Sequence, residues 1–138
     1  MFNGCKALTN APKLPATTLA SFCYSNMFNG CSSLTAVQEN LLPATTLVEA
    51  CYYNMFYGCS SLTILPENLL PATTLASRCY DSMFNGCKLL TNAPKLQATT
   101  LAGECYNYMF FGCSSLTTLP ENLLPATTLA PRCYSGMF

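Results

Sequence analysis

Apolar positions along the chain follow two alternating patterns. In the stretch before Gly86, Leu75, Cys79, Met83 and Cys87 are spaced by four, and Ala76, Tyr80 and Phe84 make a second row beside them. Two adjacent rows at that spacing predict one apolar face of a helix. Thr74 stands just before it as an N-cap, and Thr46 and Glu49 have capping-box spacing in an equivalent stretch. Pro131 falls near the third helical position, where no N–H partner is lost. Gly4, Gly30, Gly58, Gly86 and Gly112 mark the place just past each helix end, where a left-handed residue is expected. A helix of about 10–12 residues results, marginal without tertiary packing. After each Gly-Cys the period changes. Leu62-Thr63-Ile64-Leu65 and its equivalents are short, apolar and β-branched, which predicts a strand of about three to five residues.

These two patterns recur as a unit. Met-Phe returns at Met1, Met27, Met55, Met83, Met109 and Met137, giving coils 1–26, 27–54, 55–82, 83–108 and 109–136, with the start of a sixth at 137–138. Short coils carry Lys13-Leu14-Pro15 or Lys95-Leu96-Gln97; long coils carry Glu39-Asn40-Leu41-Leu42-Pro43 or its equivalents from Glu67 and Glu121. A two-residue difference confined to one point marks a loop. Residues 1–56 also match 83–138, which suggests duplication of a three-coil block. One strand and one helix per coil bury their apolar faces only when stacked. The expected architecture is therefore an α/β repeat solenoid of five coils. Each coil has one short parallel strand and one short helix, and neighbouring strands lie about 4.8 Å apart. The array reads as a single unit, 1–138, and as a fragment of a longer one; a complete short subunit is the alternative.

The run Met-Phe-x-Gly-Cys-Ser-Ser-Leu-Thr, clearest at Phe56-Tyr57-Gly58-Cys59-Ser60-Ser61-Leu62, resembles the leucine-rich repeats of BspA-like bacterial surface proteins and the related Mycoplasma-type repeats. The resemblance spans the whole chain as tandem copies. It implies a leucine-rich-repeat-like fold, extracellular or cell-surface display, and attachment to host proteins or other cells.

Composition narrows the chemistry. Only 9% of residues are charged, six basic against six acidic, so no basic patch is available for a nucleic acid. Polar residues interrupt every apolar stretch short of the roughly 18 residues a membrane span needs. There is no His, the commonest general base and metal ligand. Glu39, Glu67 and Glu121 share one repeat position and read as a solvated row. No catalytic, cofactor or metal site is expected, and the chain is read as a non-enzyme. The ten cysteines form two rows, Cys5/31/59/87/113 and Cys23/51/79/105/133. Cys79 and Cys87 lie eight residues apart, about 12 Å of helical rise, whereas a disulfide needs Cα atoms within about 7 Å. Both are expected to be buried and not bonded to each other. Small buried hydrophobes, bridges in some other pairing, or a metal remain open for the rows as a whole.

Positions that differ between coils should face outward: the residue before Gly (Asn3, Asn29, Tyr57, Asn85, Phe111), the residue after the strand Thr (Asn10, Ala36, Ile64, Asn92, Thr118), and Phe22, Ala50, Arg78, Glu104 and Arg132. The candidate interaction surface is Asn10, Lys13, Ile64, Glu67, Arg78, Asn92, Lys95, Thr118, Glu121 and Arg132. The expected partner is a protein or glycan at a cell surface, or copies of the chain itself. For the last, Met1, Phe2, Met137 and Phe138 are core-type residues at the ends and candidates for end-to-end assembly.

Overall fold

The computed structural model describes all 138 residues. Five coils stack in sequence order, and neighbouring coils are joined by backbone hydrogen bonds. The expected helix is absent from every coil. Residues 21–30, 49–58, 77–86, 103–112 and 131–136 are instead ribbons of successive turns.

The ribbon 49–58 shows how its backbone is satisfied. The N–H groups of Ala50, Tyr52, Asn54, Phe56 and Gly58 donate to carbonyls of the next coil, Ser77, Cys79, Asp81, Met83 and Asn85, at 2.8–3.1 Å. The N–H groups between them turn inward along the chain: Tyr53, Met55 and Tyr57 each donate to the carbonyl three residues back, at 3.1–3.2 Å. A left-handed residue closes every fourth position, with Ala50 at φ 49°, Asn54 at 53° and Gly58 at 67°. Cys51 and Tyr52 are buried, Tyr53 and Asn54 partly exposed, Met55 and Phe56 buried, Tyr57 exposed. The apolar period is thus four residues, two in and two out. An α-helix repeats every 3.6 residues, and its rows at a spacing of four drift around the axis.

Stacking distance explains the choice. Packed helices need about 8–10 Å between axes, whereas coils paired backbone to backbone sit about 4.8 Å apart. A Cβ built on Gly86 would lie 3.7 Å from the Cα of Gly58, so the ribbons follow the tighter spacing. Thr74 therefore caps nothing; it pairs in parallel with Thr46 on one side and Thr100 on the other. Pro131 lies in a turn, and its carbonyl accepts from the Glu104 N–H at 3.0 Å. Ala50, expected to face outward, is buried.

The strand is also shorter than expected. It survives only as isolated parallel bridges, Asn10 to Ala36, Ala36 to Ile64 and Asn92 to Thr118, with a second column through Thr46, Thr74 and Thr100. Leu62 and Leu65 are buried while Thr63 and Ile64 between them are exposed. A strand alternates at every residue; two outward residues in succession force a corner after a single pairing. Ala44-Thr45-Thr46-Leu47 repeats the same in-out-out-in order.

Because each coil copies its neighbour, like side chains stack. Phe2, Phe28, Phe56, Phe84, Phe110 and Phe138 form one column with ring centroids 5.4–5.9 Å apart. Tyr24, Tyr52, Tyr80, Tyr106 and Tyr134 form a second at 5.7–5.9 Å. The buried members of these columns join the Met, Cys and Leu rows in one core cluster of 37 buried residues, with Phe2, Tyr24 and Tyr134 packed partly against it.

Candidate interaction surface

The outward candidates fall into three separate rows. The first lies along the bridge column, with Asn10, Ile64, Asn92 and Thr118. Ile64 is 58% exposed, an isolated apolar side chain among polar ones. Asn92 is not free for a partner. Its Nδ2 donates to the Leu65 carbonyl and its Oδ1 accepts from the Leu65 N–H, both at 2.9 Å.

The second row follows the loop that differs in length between coils. It runs Lys13, Glu39, Glu67, Lys95, Glu121. Lys95 Nζ lies 2.6 Å from Glu67 Oε1, and both side chains remain more than half exposed. Where a short coil precedes a long one, a cleft opens. One of about 270 Å³ is lined by Lys13, Glu39 and Asn40; its equivalent of about 240 Å³ is lined by Lys95, Glu121 and Asn122. Asn40 and Asn122 are left-handed, at φ 55° and 53°.

The third row crosses the turn ribbons. Arg78 Nε lies 3.2 Å from Asp81 and 3.4 Å from Glu104, and Arg132 lies 3.5 Å from Glu104. The Arg78 guanidinium also sits 4.9 Å above the Tyr53 ring. Asp81 is buried, held by Arg78, the Ser82 hydroxyl at 2.8 Å and the Asn107 amide at 3.4 Å. Tyr57 and Phe111 are exposed, and Phe111 meets Tyr108 edge to face at 5.7 Å. Tyr53, Asp81 and Tyr108 escaped the sequence reading. Their one visible signal was variation at their columns, where Ser25 and Asn26 stand in the first coil and Ser135 and Gly136 in the last.

Cys5 and Cys23 are exposed, and the other eight thiols lie in or against the interior. All ten thiols are unpaired, and Cys79 and Cys87 are both fully buried. The row after Gly has a specific task. Cys31, Cys59, Cys87 and Cys113 each donate through Sγ to the carbonyl of Phe2, Phe28, Phe56 and Phe84 in the preceding coil, at 3.0–3.2 Å. Burial pushes the Cys59 thiol up to about 12 and those of Cys51, Cys105 and Cys113 to about 11. Such thiols are poor nucleophiles and poor metal ligands, since both roles need the thiolate. The hydroxyls of Tyr52, Tyr80 and Tyr134 are buried with no hydrogen-bond partner.

End residues stand apart from their row mates. Met1 is 92% exposed and Phe138 56%, whereas Met137 is buried and Phe2 packs partly against the core. Leu129 is 65% exposed where the equivalent Leu75 is 6%. The ribbon N–H groups of Arg132, Tyr134 and Gly136 find no acceptor, while their equivalents in earlier coils all pair forward.

Geometry and sequence together define the class: a tandem-repeat solenoid with a continuous apolar interior and rows of differing side chains outside. No protein-family model matches the chain, and no curated protein matches it. Among solved structures it is similar to a T. pallidum leucine-rich repeat protein, at 23% identity over 69% of this chain and 38% of that one, with a TM-score of 0.40. It is also similar to a leucine-rich repeat protein from Bacteroides ovatus, at 21% identity over 80% of this chain and 24% of that one, with a TM-score of 0.38. The chain thus spans well under half the length of either. No helix is long and apolar enough to cross a membrane.

Proposed function

We propose that this chain is a non-catalytic extracellular repeat module that binds protein or glycan partners at a cell surface, in the manner of an adhesin. One observation carries the reading. Inward columns are nearly invariant from coil to coil, while the ribbon columns outside carry Tyr53, Tyr57, Arg78, Tyr108, Phe111 and Arg132 at positions that vary between coils. Tyr and Arg dominate the energetics of protein interfaces, and solenoids offer them on an extended face. The extracellular setting rests on the resemblance of the Phe-x-Gly-Cys-x-x-Leu motif to BspA-like surface repeats.

Binding of fluorescently labelled chain to intact cultured epithelial cells tests this, before and after protease or glycosidase treatment of the cells. Binding should saturate and should fall in a Tyr57→Ala, Phe111→Ala double variant. Equal, non-saturable retention of both proteins on treated and untreated cells would sink the reading.

A second reading rests on the coil-to-coil pairing, in which the ribbon N–H groups of one coil donate to carbonyls of the next: a structural subunit that assembles end to end into an extracellular filament. Heterologous contacts of this kind propagate when their rotation does not close. Negative-stain microscopy should then show fibres of constant width, and monodisperse short particles at high concentration would exclude them.

A further inference from the structure

The loop row is closed at one junction between coils and open at the other three. Between coils 55–82 and 83–108 the Lys95 N–H donates to the Glu67 carbonyl at 2.8 Å, and the two side chains form an ion pair at 2.6 Å. No backbone hydrogen bond crosses the row at the remaining junctions. Gln38 spans the first of them by side chain, its amide donating to the Ala11 carbonyl at 2.8 Å. Each open junction holds a cleft. Besides the two of about 270 and 240 Å³, one of about 180 Å³ lies between coils 27–54 and 55–82, lined by Glu39, Asn40, Pro66, Glu67 and Asn68. Both walls of every cleft belong to this chain.

The walls repeat one chemistry. Every long coil brings a carboxylate and a carboxamide side by side: Glu39-Asn40, Glu67-Asn68 and Glu121-Asn122, all exposed. The N–H groups of Glu39, Glu67 and Glu121 donate to no protein acceptor. Each cleft thus sets strong acceptors beside free donors, a combination that a hydroxyl, at once donor and acceptor, satisfies. Three carboxylates stand against the ammonium groups of Lys13 and Lys95, and Lys95 is already held by Glu67. An anionic ligand is therefore disfavoured. Each cleft is smaller than the roughly 300 Å³ at which pockets for drug-sized molecules begin, so it suits a single ring. Spacing selects the polymer. Coils sit about 4.8 Å apart, and the row spans roughly 19 Å over four junctions. An extended peptide advances about 3.3 Å per residue and loses step with the coils at once. A cellulose-type chain of β-linked hexoses advances by close to one coil spacing per ring and keeps step.

We propose that the loop row is a binding groove for an uncharged chain of β-linked hexoses, one ring to each coil, with Glu39-Asn40 and Glu121-Asn122 as its principal contacts. Sugar hydroxyls donate to the carboxylates and accept from the Asn amides and the free N–H groups. At the closed junction the sugar passes over the Lys95–Glu67 pair, whose side chains remain more than half exposed. The groove goes beyond the adhesin reading, because it lies on a row separate from Tyr57 and Phe111 and stands whether or not those residues engage a cell.

Nuclear magnetic resonance titration of the isotope-labelled chain with cellohexaose tests the groove. Shifts should concentrate in residues 38–41, 67–69 and 121–123. Cellohexaose should bind about tenfold more tightly than cellobiose, because it engages more coils at once. A hyaluronan hexasaccharide, whose rings carry carboxylates, should bind at least about tenfold more weakly than cellohexaose. Asn40 and Asn122 are left-handed, so Asn40→Gly and Asn122→Gly keep the backbone and remove only the amide. Each should weaken cellohexaose binding about fivefold, with melting temperatures close to the parent's. No shift at millimolar cellohexaose would overturn the proposal, as would equal affinity for hyaluronan or unchanged affinity in both Asn variants. The Tyr57→Ala, Phe111→Ala protein should bind cellohexaose like the parent. Loss of binding there, with the Asn variants unaffected, would move the sugar to the ribbon face and overturn the groove while the adhesin reading stood. Cellohexaose binding in a chain that does not bind cells would support the groove and sink that reading instead.

Discussion

At the residue scale, stacking of identical side chains decides which substitutions matter. The Tyr80 ring is packed between Tyr52 and Tyr106, yet its hydroxyl is buried without a partner. Burying an unpaired hydroxyl costs about 1–3 kcal/mol. Tyr80→Phe should therefore stabilise the fold by about 1 kcal/mol and raise the melting temperature. A lower melting temperature would show that the hydroxyl holds a hydrogen bond. Gly58 presents the opposite case. A Cβ there meets nothing closer than the Gly30 Cα at 4.0 Å, so space is available and only the backbone at φ 67° resists. Gly58→Val forces a β-branched residue into a left-handed conformation, at about 1–2 kcal/mol or more. Gly58→Asn should cost much less, because Asn tolerates that region and Asn54 already occupies it four residues earlier. Paired thermal melts of Val and Asn variants separate backbone strain from crowding; equal losses would point to crowding.

At the element scale, the sequence disclosed the interior columns but not the local conformation. Leu75, Cys79 and Met83 are buried, as their spacing of four requires. That spacing is shared by a helix face and a ribbon of turns, and over three or four steps the drift of a 3.6-residue period is easily missed. The discriminating signal was present at the left-handed positions. Asn26, Asn54, Ser82 and Tyr108 stand four residues before Gly30, Gly58, Gly86 and Gly112, all at positive φ, and Asn is among the residues that accept positive φ most readily. Arg78, Glu104 and Phe22 hid the pattern, since nothing in their chemistry announces a left-handed backbone. The candidate surface was legible as a set of variable positions. Its division into three rows, and the capture of Asn92 by Leu65, depend on how one coil sits on the next. Asn92→Ala tests that junction. It removes two hydrogen bonds and leaves the Leu65 N–H and C=O without partners, so a loss of about 1–3 kcal/mol is expected. Hydrogen exchange should locate the loss between coils 55–82 and 83–108. Uniform destabilisation across all five coils would mean that the carboxamide does not act at that junction.

At the scale of the whole molecule, stability depends on keeping two rows of buried thiols and one of phenols protonated. Burial raises the thiols of Cys51, Cys105 and Cys113 to about 11 and that of Cys59 to about 12, and it raises the phenols of Tyr52, Tyr80 and Tyr106 as well. In an unfolded chain a thiol titrates near 8.5 and a phenol near 10. The folded state therefore holds protons that the unfolded state releases. Stability from this source is complete below about pH 8.5 and declines as pH rises through the folded values. Because the groups belong to one continuous core, they should be lost together. Circular dichroism in reducing buffer should show little change from pH 6 to 8 and a single cooperative unfolding transition between about pH 9 and 12. Iodoacetamide supplies an independent readout. At pH 8 it should label the exposed Cys5 and Cys23 quickly. The buried cysteines should become reactive only as the alkaline transition proceeds. Rapid labelling of Cys79 or Cys87 at pH 8, with the dichroism unchanged, would show that the interior columns open without unfolding.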